Sequence, residues 1–212
     1  MIKPVSTRQS KRHARNRQLI LEAARSVFSR KGFEKTTMAD IAATAEMAAG
    51  TLYLYFKGKE RLFYALMEEG MNSLYQHLKS SIAREREWSH KFRLFIQIPF
   101  QFFEENRDFY QIYLRELPAC SSIEERESKK RFLQGHMAYV DLLEDCLQEK
   151  FNHQSKFPAR DAALMLKGAV DSMIFGTMLD GREEPLTDKI DFLVELFRRG
   201  LAGVKTRKAS GR

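Results

Sequence analysis

Thr37-Met-Ala-Asp-Ile-Ala-Ala-Thr-Ala-Glu-Met-Ala-Ala-Gly-Thr-Leu-Tyr-Leu-Tyr-Phe-Lys-Gly-Lys-Glu-Arg61 is the stretch whose reading decides the fold. Thr37 with Asp40 three residues on reads as a capping box, so a short helix starts here. Ile41, Ala42 and Ala45 face inward from it. A tight turn centres on Glu46 and Met47, and a second short helix spans roughly 48–55. On that helix Leu52 and Phe56 point inward while Thr51, Tyr53 and Tyr55 point outward, with Lys57 and Lys59 close behind. A helix that carries hydroxyls and basic neighbours, propped by the helix before it, suits a DNA major groove. The other reading of Tyr53 and Tyr55, as core aromatics, fits poorly with their placement opposite Leu52 and Phe56.

Charge points the same way. Residues 1–61 hold 13 Lys/Arg against 5 Asp/Glu, whereas residues 62–212 hold 23 of each. The whole net charge of +8 therefore sits on the segment with the candidate reading helix, where it favours phosphate contacts. Lys3, Arg8, Lys11, Arg12, Arg15 and Arg17 stand in residues 1–17 without an acid, as in an arm that orders on DNA. This arm merges into a first helix at about 12–31, with Ile20, Ala23, Ala24, Val27 and Phe28 as its apolar stripe and Gly32 as its left-handed stop.

Apolar spacings of three and four continue to the C-terminus and predict an all-α chain of about nine helices. A long fourth helix starts after Gly58. Further helices are expected at 89–105, 107–117, 122–151, after Pro158, and at about 187–204. Pro99 should kink the first of these, and Pro118 should end the second. The expected domains are a basic arm with a helix-turn-helix unit at 1–61, a helical effector and dimerisation unit at 62–204, and a basic tail at 205–212.

Several function classes are set aside by composition. Cys120 and Cys146 give neither a disulfide framework nor metal-ligand spacing. No run of about 18 apolar residues predicts a membrane span. The basic N-terminus lacks an apolar signal segment, which makes a cytoplasmic location the default. There is no Gly-rich phosphate loop and no supported nucleophile–base pair, so neither catalysis, a metal nor a cofactor is expected.

The segment Arg17–Leu66 resembles the tetracycline-repressor (TetR) family of bacterial transcription regulators. The resemblance rests on Ile-Leu-Glu-Ala-Ala-Arg-Ser-Val-Phe at 20–28, Lys-Gly-Phe at 31–33, Thr-Thr at 36–37 and Asp-Ile-Ala at 40–42. It continues with Gly-Thr-Leu-Tyr at 50–53, Tyr-Phe at 55–56 and Lys-Glu at 59–60. It implies that Thr37, Tyr53, Tyr55 and Lys59 bind phosphates, with Arg17 also on the DNA side, and that Ala49, Gly50 and Thr51 face base edges. The chain departs from the family at Glu46, where Gly is usual. It departs again at Ala48, where a Ser or Thr cap is usual, and at Leu54, where His is usual. The reading helix is thus unusually apolar, so thymine methyls and DNA shape should carry more of its specificity.

The C-terminal part matches the family only in size and helix count. There, Gly168, Ser172 and Gly176 recur every four residues as a ridge that another helix can approach closely. On the last helix Ile190, Leu193, Leu196, Phe197 and Leu201 form an apolar stripe. The resemblance implies a homodimer through these two helices, with Gly168, Ser172, Gly176, Leu193 and Phe197 at the interface; the bland alternative is that both helices only complete the chain's own core. Residues 92–113 hold 8 of the chain's 24 aromatics, a concentration that suggests an apolar cavity. Phe95, Phe102, Phe103, Tyr110, Tyr113, Met137, Met173 and Met178 are its candidate lining, with Gln101, Gln111, Arg115, His136 and Asp171 as polar anchors. The expected function is a homodimeric repressor released from a palindromic double-stranded DNA operator by a small apolar effector. The alternatives are a constitutive DNA-binding or architectural protein and, with least support, an enzyme.

Overall fold

The computed structural model describes residues 7–116, 126–151, 158–179 and 184–203, and these residues are all-α. In chain order the helices are α1 (Thr7–Lys31), α2 (Met38–Thr44), α3 (Ala49–Tyr55), α4 (Lys59–Arg84) and α5 (Trp88–Glu105). They continue with α6 (Arg107–Glu116), α7 (Arg126–Lys150), α8 (Ala159–Leu179) and α9 (Ile190–Gly203), the last preceded by a 3-10 turn at Leu186–Lys189. Helix α1 starts about five residues earlier than expected, so residues 7–11 of the expected arm are helical. Pro118, Cys120 and the tail at 205–212 lie outside the described residues.

The chain divides into two compact units, and the division differs from a cut at residue 61. The first comprises Met1–Gly70 with Asp108–Phe132, the second Met71–Arg107 with Leu133–Arg212. Helix α4 contributes to both, and most of α6 belongs to the first.

The first unit is built on a ring cluster. Phe28 of α1, Phe33 of the following turn and Phe63 of α4 have centroids 5.4–6.1 Å apart in tilted and edge-on arrangements. Ile20, Ala24, Ile41 and Leu52 belong to the same unit's core, each with no exposed surface. Gly32, at φ 74°, ends α1 in the left-handed conformation that lets the chain reverse toward α2. Helix α6 joins this unit through Phe109: a Cβ added at Gly70 of α4 would lie 2.4 Å from the Phe109 ring. Gly70 therefore admits that ring against the backbone of α4.

The second unit packs α5 against α8, α9 and the 3-10 turn. Helix α5 is mostly inward, burying Phe92, Phe95, Ile96, Ile98, Pro99, Phe100 and Phe103. Pro99 has no N–H, so the carbonyl four residues earlier, that of Phe95, loses its helical donor. Tyr139 of α7 replaces it: its hydroxyl donates to the Phe95 oxygen at 2.5 Å in a buried position.

Among the described residues α8 is long and apolar enough to cross a membrane, where no such span was expected. Lys167 and Asp171 interrupt its apolar run, which hid it from a count of consecutive residues. Two different apolar sides explain its composition. Leu166, Val170 and Ile174 are buried, while Leu164, Met165, Phe175 and Leu179 are exposed.

Candidate functional site

Helix α2 is fixed at both ends by hydrogen bonds that its own sequence supplies. Thr37 is its N-cap, with the side-chain oxygen accepting from the Asp40 N–H at 3.1 Å and the Thr37 N–H donating back to Asp40 at 3.0 Å. Lys31 donates to the same carboxylate at 2.7 Å. The Lys31 ammonium, followed by the two Thr37 donors, holds the Asp40 carboxyl down at about 2. At the other end the Glu46 N–H donates to Ala43 and the Met47 N–H to Ala42, the paired bonds of a Schellman stop. The residue that must turn left-handed there is Glu46, at φ 54°. This is the position where the resemblance marked a missing glycine, and the geometry shows what that glycine does.

Helix α3 follows after Ala48, which caps it with no side-chain bond, as the lost Ser or Thr implied. Leu52 is fully buried and anchors the helix. The opposite surface is open: Ala49, Gly50, Tyr53 and Leu54 are exposed and Thr51 is half-buried. A Cβ at Gly50 would meet nothing within 4 Å. The fold thus does not require glycine there, although it costs about 1 kcal/mol against alanine in a helix. Leu54 is 82% exposed, the most solvent-facing large apolar side chain of α3, and was not among the expected contact residues.

The remaining expected DNA contacts are tied into the protein. Lys59 donates to the carbonyl oxygens of Phe33 and Glu34 at 2.9 and 3.2 Å and lies over the Phe33 ring, 4.5 Å from its centroid. It closes the turn between α1 and α2, an internal role that the sequence did not signal. Arg17 pairs with Glu69 at 2.6 Å and covers the face of Phe56. Tyr55 is half-buried and stacks on His13 of α1, with centroids 4.6 Å apart. Arg25 of α1 grips Asp108, in the first turn of α6, through two bonds of 2.7 and 2.5 Å. That grip, ahead of the smaller local contributions, pulls the Asp108 carboxyl below its ordinary range.

The expected effector residues do not all fall in one unit. Phe95 and Phe103 are buried in the second, where Phe102, Met137, Met173 and Met178 are half-buried. Tyr110 is buried in the first unit instead, because α6 from Asp108 onward packs there through Phe109 and the Arg25 pair. The side chains of Tyr113, Arg115 and His136 lie outside the described part. Gln101 is half-buried, while Gln111 is exposed. Asp171 takes part in a polar cluster that sequence reasoning missed. The Lys167 ammonium donates to Asp171 at 2.6 Å and lies 5.5 Å from the centroid of the Tyr139 ring. Burial lowers the pKa of Lys167 against the pull of Asp171, and burial raises that of Tyr139. The lysine at i and aspartate at i+4 inside an apolar helix were its sequence signal.

On the last two helices the expected interface residues are divided between the chain's core and its surface. Leu193 is 2% exposed and Ile190 5%, so this side of the α9 stripe belongs to the chain's own core. The outward residues are Phe192 and Leu196, with Phe197 half-buried. Gly168 and Ser172 are exposed, and neither Gly168 nor Gly176 would crowd an added Cβ. Between the two helices lies an apolar groove of about 430 Å³, lined by Pro158, Ala162, Met165, Leu196, Phe197 and Leu201 among others. Phe197 is the one expected interface residue in it, and none of the expected effector residues lines it.

A tri-helical unit with a capped support helix and an open, short second helix has a known counterpart. Residues 20–66 match the profile of the bacterial regulatory proteins of the tetR family. That segment is a tetR-type DNA-binding domain, and the chain as a whole is similar to transcriptional regulators that carry it. Among tetR-type relatives, an uncharacterized HTH-type transcriptional regulator, YfiR, of Bacillus subtilis (strain 168) is 38% identical over 86 residues. That match spans 40% of this chain and only 42% of the relative. The fatty acid metabolism regulator protein of the same organism is 25% identical over 185 residues, covering 86% of this chain and 93% of the relative. Of solved structures, the fatty acid degradation regulator FadR from Bacillus halodurans superposes with a TM-score of 0.76 at 22% identity, over 91% of this chain and 97% of that one. FadR from Bacillus subtilis, solved in complex with stearoyl-CoA, gives 0.73 at 24% identity, over 89% and 99%. At these identities the two structures establish the tetR-type fold.

Proposed function

We propose that this regulator is a homodimeric repressor that reads a palindromic operator with α3 and lets go when a long-chain acyl-CoA or similar acyl effector occupies its second unit. The observation that carries the DNA reading is the division of labour around α3. Lys59, Arg17, Thr37 and Asp40 hold the surrounding turns, and the surface of Ala49, Gly50, Thr51, Tyr53 and Leu54 is left open. Gly50 on an open face suits close approach to a base or phosphate, and the apolar Leu54 suits a thymine methyl.

Dimerisation is supported by the exposed apolar side of α8 and α9, where Met165, Phe175, Leu179, Phe192 and Leu196 meet solvent. Two copies related by a two-fold axis would cover it and present two reading helices to a palindrome. A Cβ at Gly176 meets nothing within the chain, so Gly176→Ala should leave the single chain intact while Gly176→Leu should damage a contact with the partner. Sedimentation showing an unchanged dimer in that variant, or a stable monomer in the parent, counts against this surface.

The acyl effector is supported by the apolar, aromatic character of α5 and by similarity to regulators named for fatty acid metabolism. A cytoplasmic location agrees with such a role. The test uses a duplex selected from a random-sequence library on the full chain. Thr51→Ala should relax base preference at one position of each half-site, and stearoyl-CoA should weaken duplex binding and raise the melting temperature of the free protein. A hundredfold release requires about 2.7 kcal/mol of coupling, and the duplex must weaken acyl-CoA binding by the same factor. Simultaneous binding with no mutual effect would establish the constitutive DNA-binding reading in its place.

A further inference from the structure

Residues 8–15, Arg-Gln-Ser-Lys-Arg-His-Ala-Arg, form the leading turns of α1, and every one of them is exposed. They have no apolar stripe to bury. Arg8, Lys11, Arg12 and Arg15 recur at i, i+3, i+4 and i+7, which puts four cations on one face. None of the four has a carboxylate partner among the described residues. Like charges at these spacings repel, and cations in a first turn oppose the helix dipole; no acid stands in that turn to offset them. Folding of the chain alone gives this segment little reason to be helical. Within it, His13 stacks on Tyr55, the last residue of α3. His13 and Arg17 lie on the side of α1 away from the cations, so the protein leaves the basic face uncovered.

We propose that the leading turns of α1 are a second DNA-contacting element, whose four-cation face takes the phosphate backbone flanking the sequence read by α3. The proposal rests on the reading of α3 as the DNA-reading helix. A duplex is favoured over other polyanions because the His13–Tyr55 stack joins this segment directly to α3. The scale also fits: Arg8 to Arg15 rises about 10 Å along the helix, a length over which a duplex presents several phosphates.

The experiment compares the full chain with the quadruple variant Arg8→Gln, Lys11→Gln, Arg12→Gln and Arg15→Gln. The probe is the library-selected duplex, in a short form ending at the selected site and a long form with about ten further base pairs, one helical turn, on each side. Affinity is measured across a salt series. Each lost phosphate contact lowers the log–log salt slope by about 0.9, so the variant's slope on the long duplex should be shallower by about 3 to 4 for each bound chain, and by about 7 for a dimer. Between about 50 and 200 mM salt the parent should therefore lose roughly a hundredfold more affinity than the variant for each bound chain, and roughly ten-thousandfold more for a dimer. The short duplex should show a much smaller difference, and base preference should not change. Equal slopes for parent and variant overturn the proposal, as does an equal loss on short and long duplexes, which would mean a general charge field. A fourfold Arg8→Lys, Lys11→Arg, Arg12→Lys and Arg15→Lys chain keeps the charges and should keep the parental slope; if it behaves like the Gln chain, phosphate contact is not the cause. Failure of the α3 reading appears separately, as a parent chain that selects no preferred duplex, and it removes this proposal too.

Discussion

Both units tie their elements together with polar pairs at the rim, but they differ in what they draw inside. In the first, Thr37, Asp40, Lys31, Lys59 and Arg25 act at the rim, each tying one turn or helix end to another around a core of Phe28, Phe33 and Phe63. In the second, the Tyr139 hydroxyl, the Lys167 ammonium and the Phe95 carbonyl are drawn inside among aromatic rings. A unit that presents a seven-residue helix at a fixed angle needs its turns held, because so short a helix has little stability of its own. A unit built from long helices holds its shape by packing and can carry polar groups within.

The contrast breaks most visibly at the ring cluster. Phe63→Ala should cost about 3–5 kcal/mol, as a buried ring with edge-on neighbours leaves a cavity, and duplex binding should be lost with it. Chemical denaturation followed beside duplex titration tests this; retained binding with that loss of stability would show that the cluster does not set the angle of α3. In the second unit, Tyr139→Phe should cost about 1–3 kcal/mol, since it strips the donor from a buried carbonyl. The loss should shrink in a chain that also carries Pro99→Ala, where the helix supplies its own N–H to Phe95. Additive losses in that double-mutant cycle would refute the compensation.

Smaller effects sharpen the comparison. Glu46→Gly should stabilise the first unit by about 1 kcal/mol, since it removes a side chain from a left-handed residue; a lowered midpoint would show that the Glu46 side chain holds a contact worth more. The Arg25–Asp108 pair should give the first unit an acid sensitivity. Its carboxyl is depressed in the folded state, so its contribution is complete above the ordinary carboxylate range and is lost as pH falls through the lowered value. Both partners are partly exposed, at 33% and 44% of their side-chain surface, so the effect should stay below about 1 kcal/mol. Unfolding of the parent and of Asp108→Asn across the acid range should converge at low pH; parallel curves would remove the pair from the account.

Most of the first unit was legible because its signals are local. A threonine three residues before an aspartate, a glycine after an apolar stripe, and a glutamate in a glycine's place each name their own backbone geometry. What the local code omits is what distant residues do to one another. Nothing near Lys59 announces that its ammonium will cap carbonyls at Phe33 and Glu34, 26 and 25 residues earlier. Tyr110 read as a pocket residue because it stands in an aromatic run, yet that run is divided between two units by the Arg25 pair and the Gly70 notch. Leu193 read as an interface residue because its stripe is apolar, and spacing alone cannot tell which neighbouring face of α9 meets the chain's own core. The basic residues at 8, 11, 12 and 15 were read as an arm that orders only on DNA, whereas residues 7–17 are already helical.

The bond from Tyr139 to the Phe95 oxygen also constrains how this sequence can drift. Pro99 creates the vacancy at that carbonyl and Tyr139 fills it, so the two positions are epistatic and the order of change matters. Losing the proline first returns an ordinary helical bond and frees the tyrosine to vary afterwards. Losing the tyrosine first strands a buried acceptor beneath the proline. Lineages that share this α5 should therefore be found with both residues, with Tyr139 alone or with neither, and seldom with the proline alone.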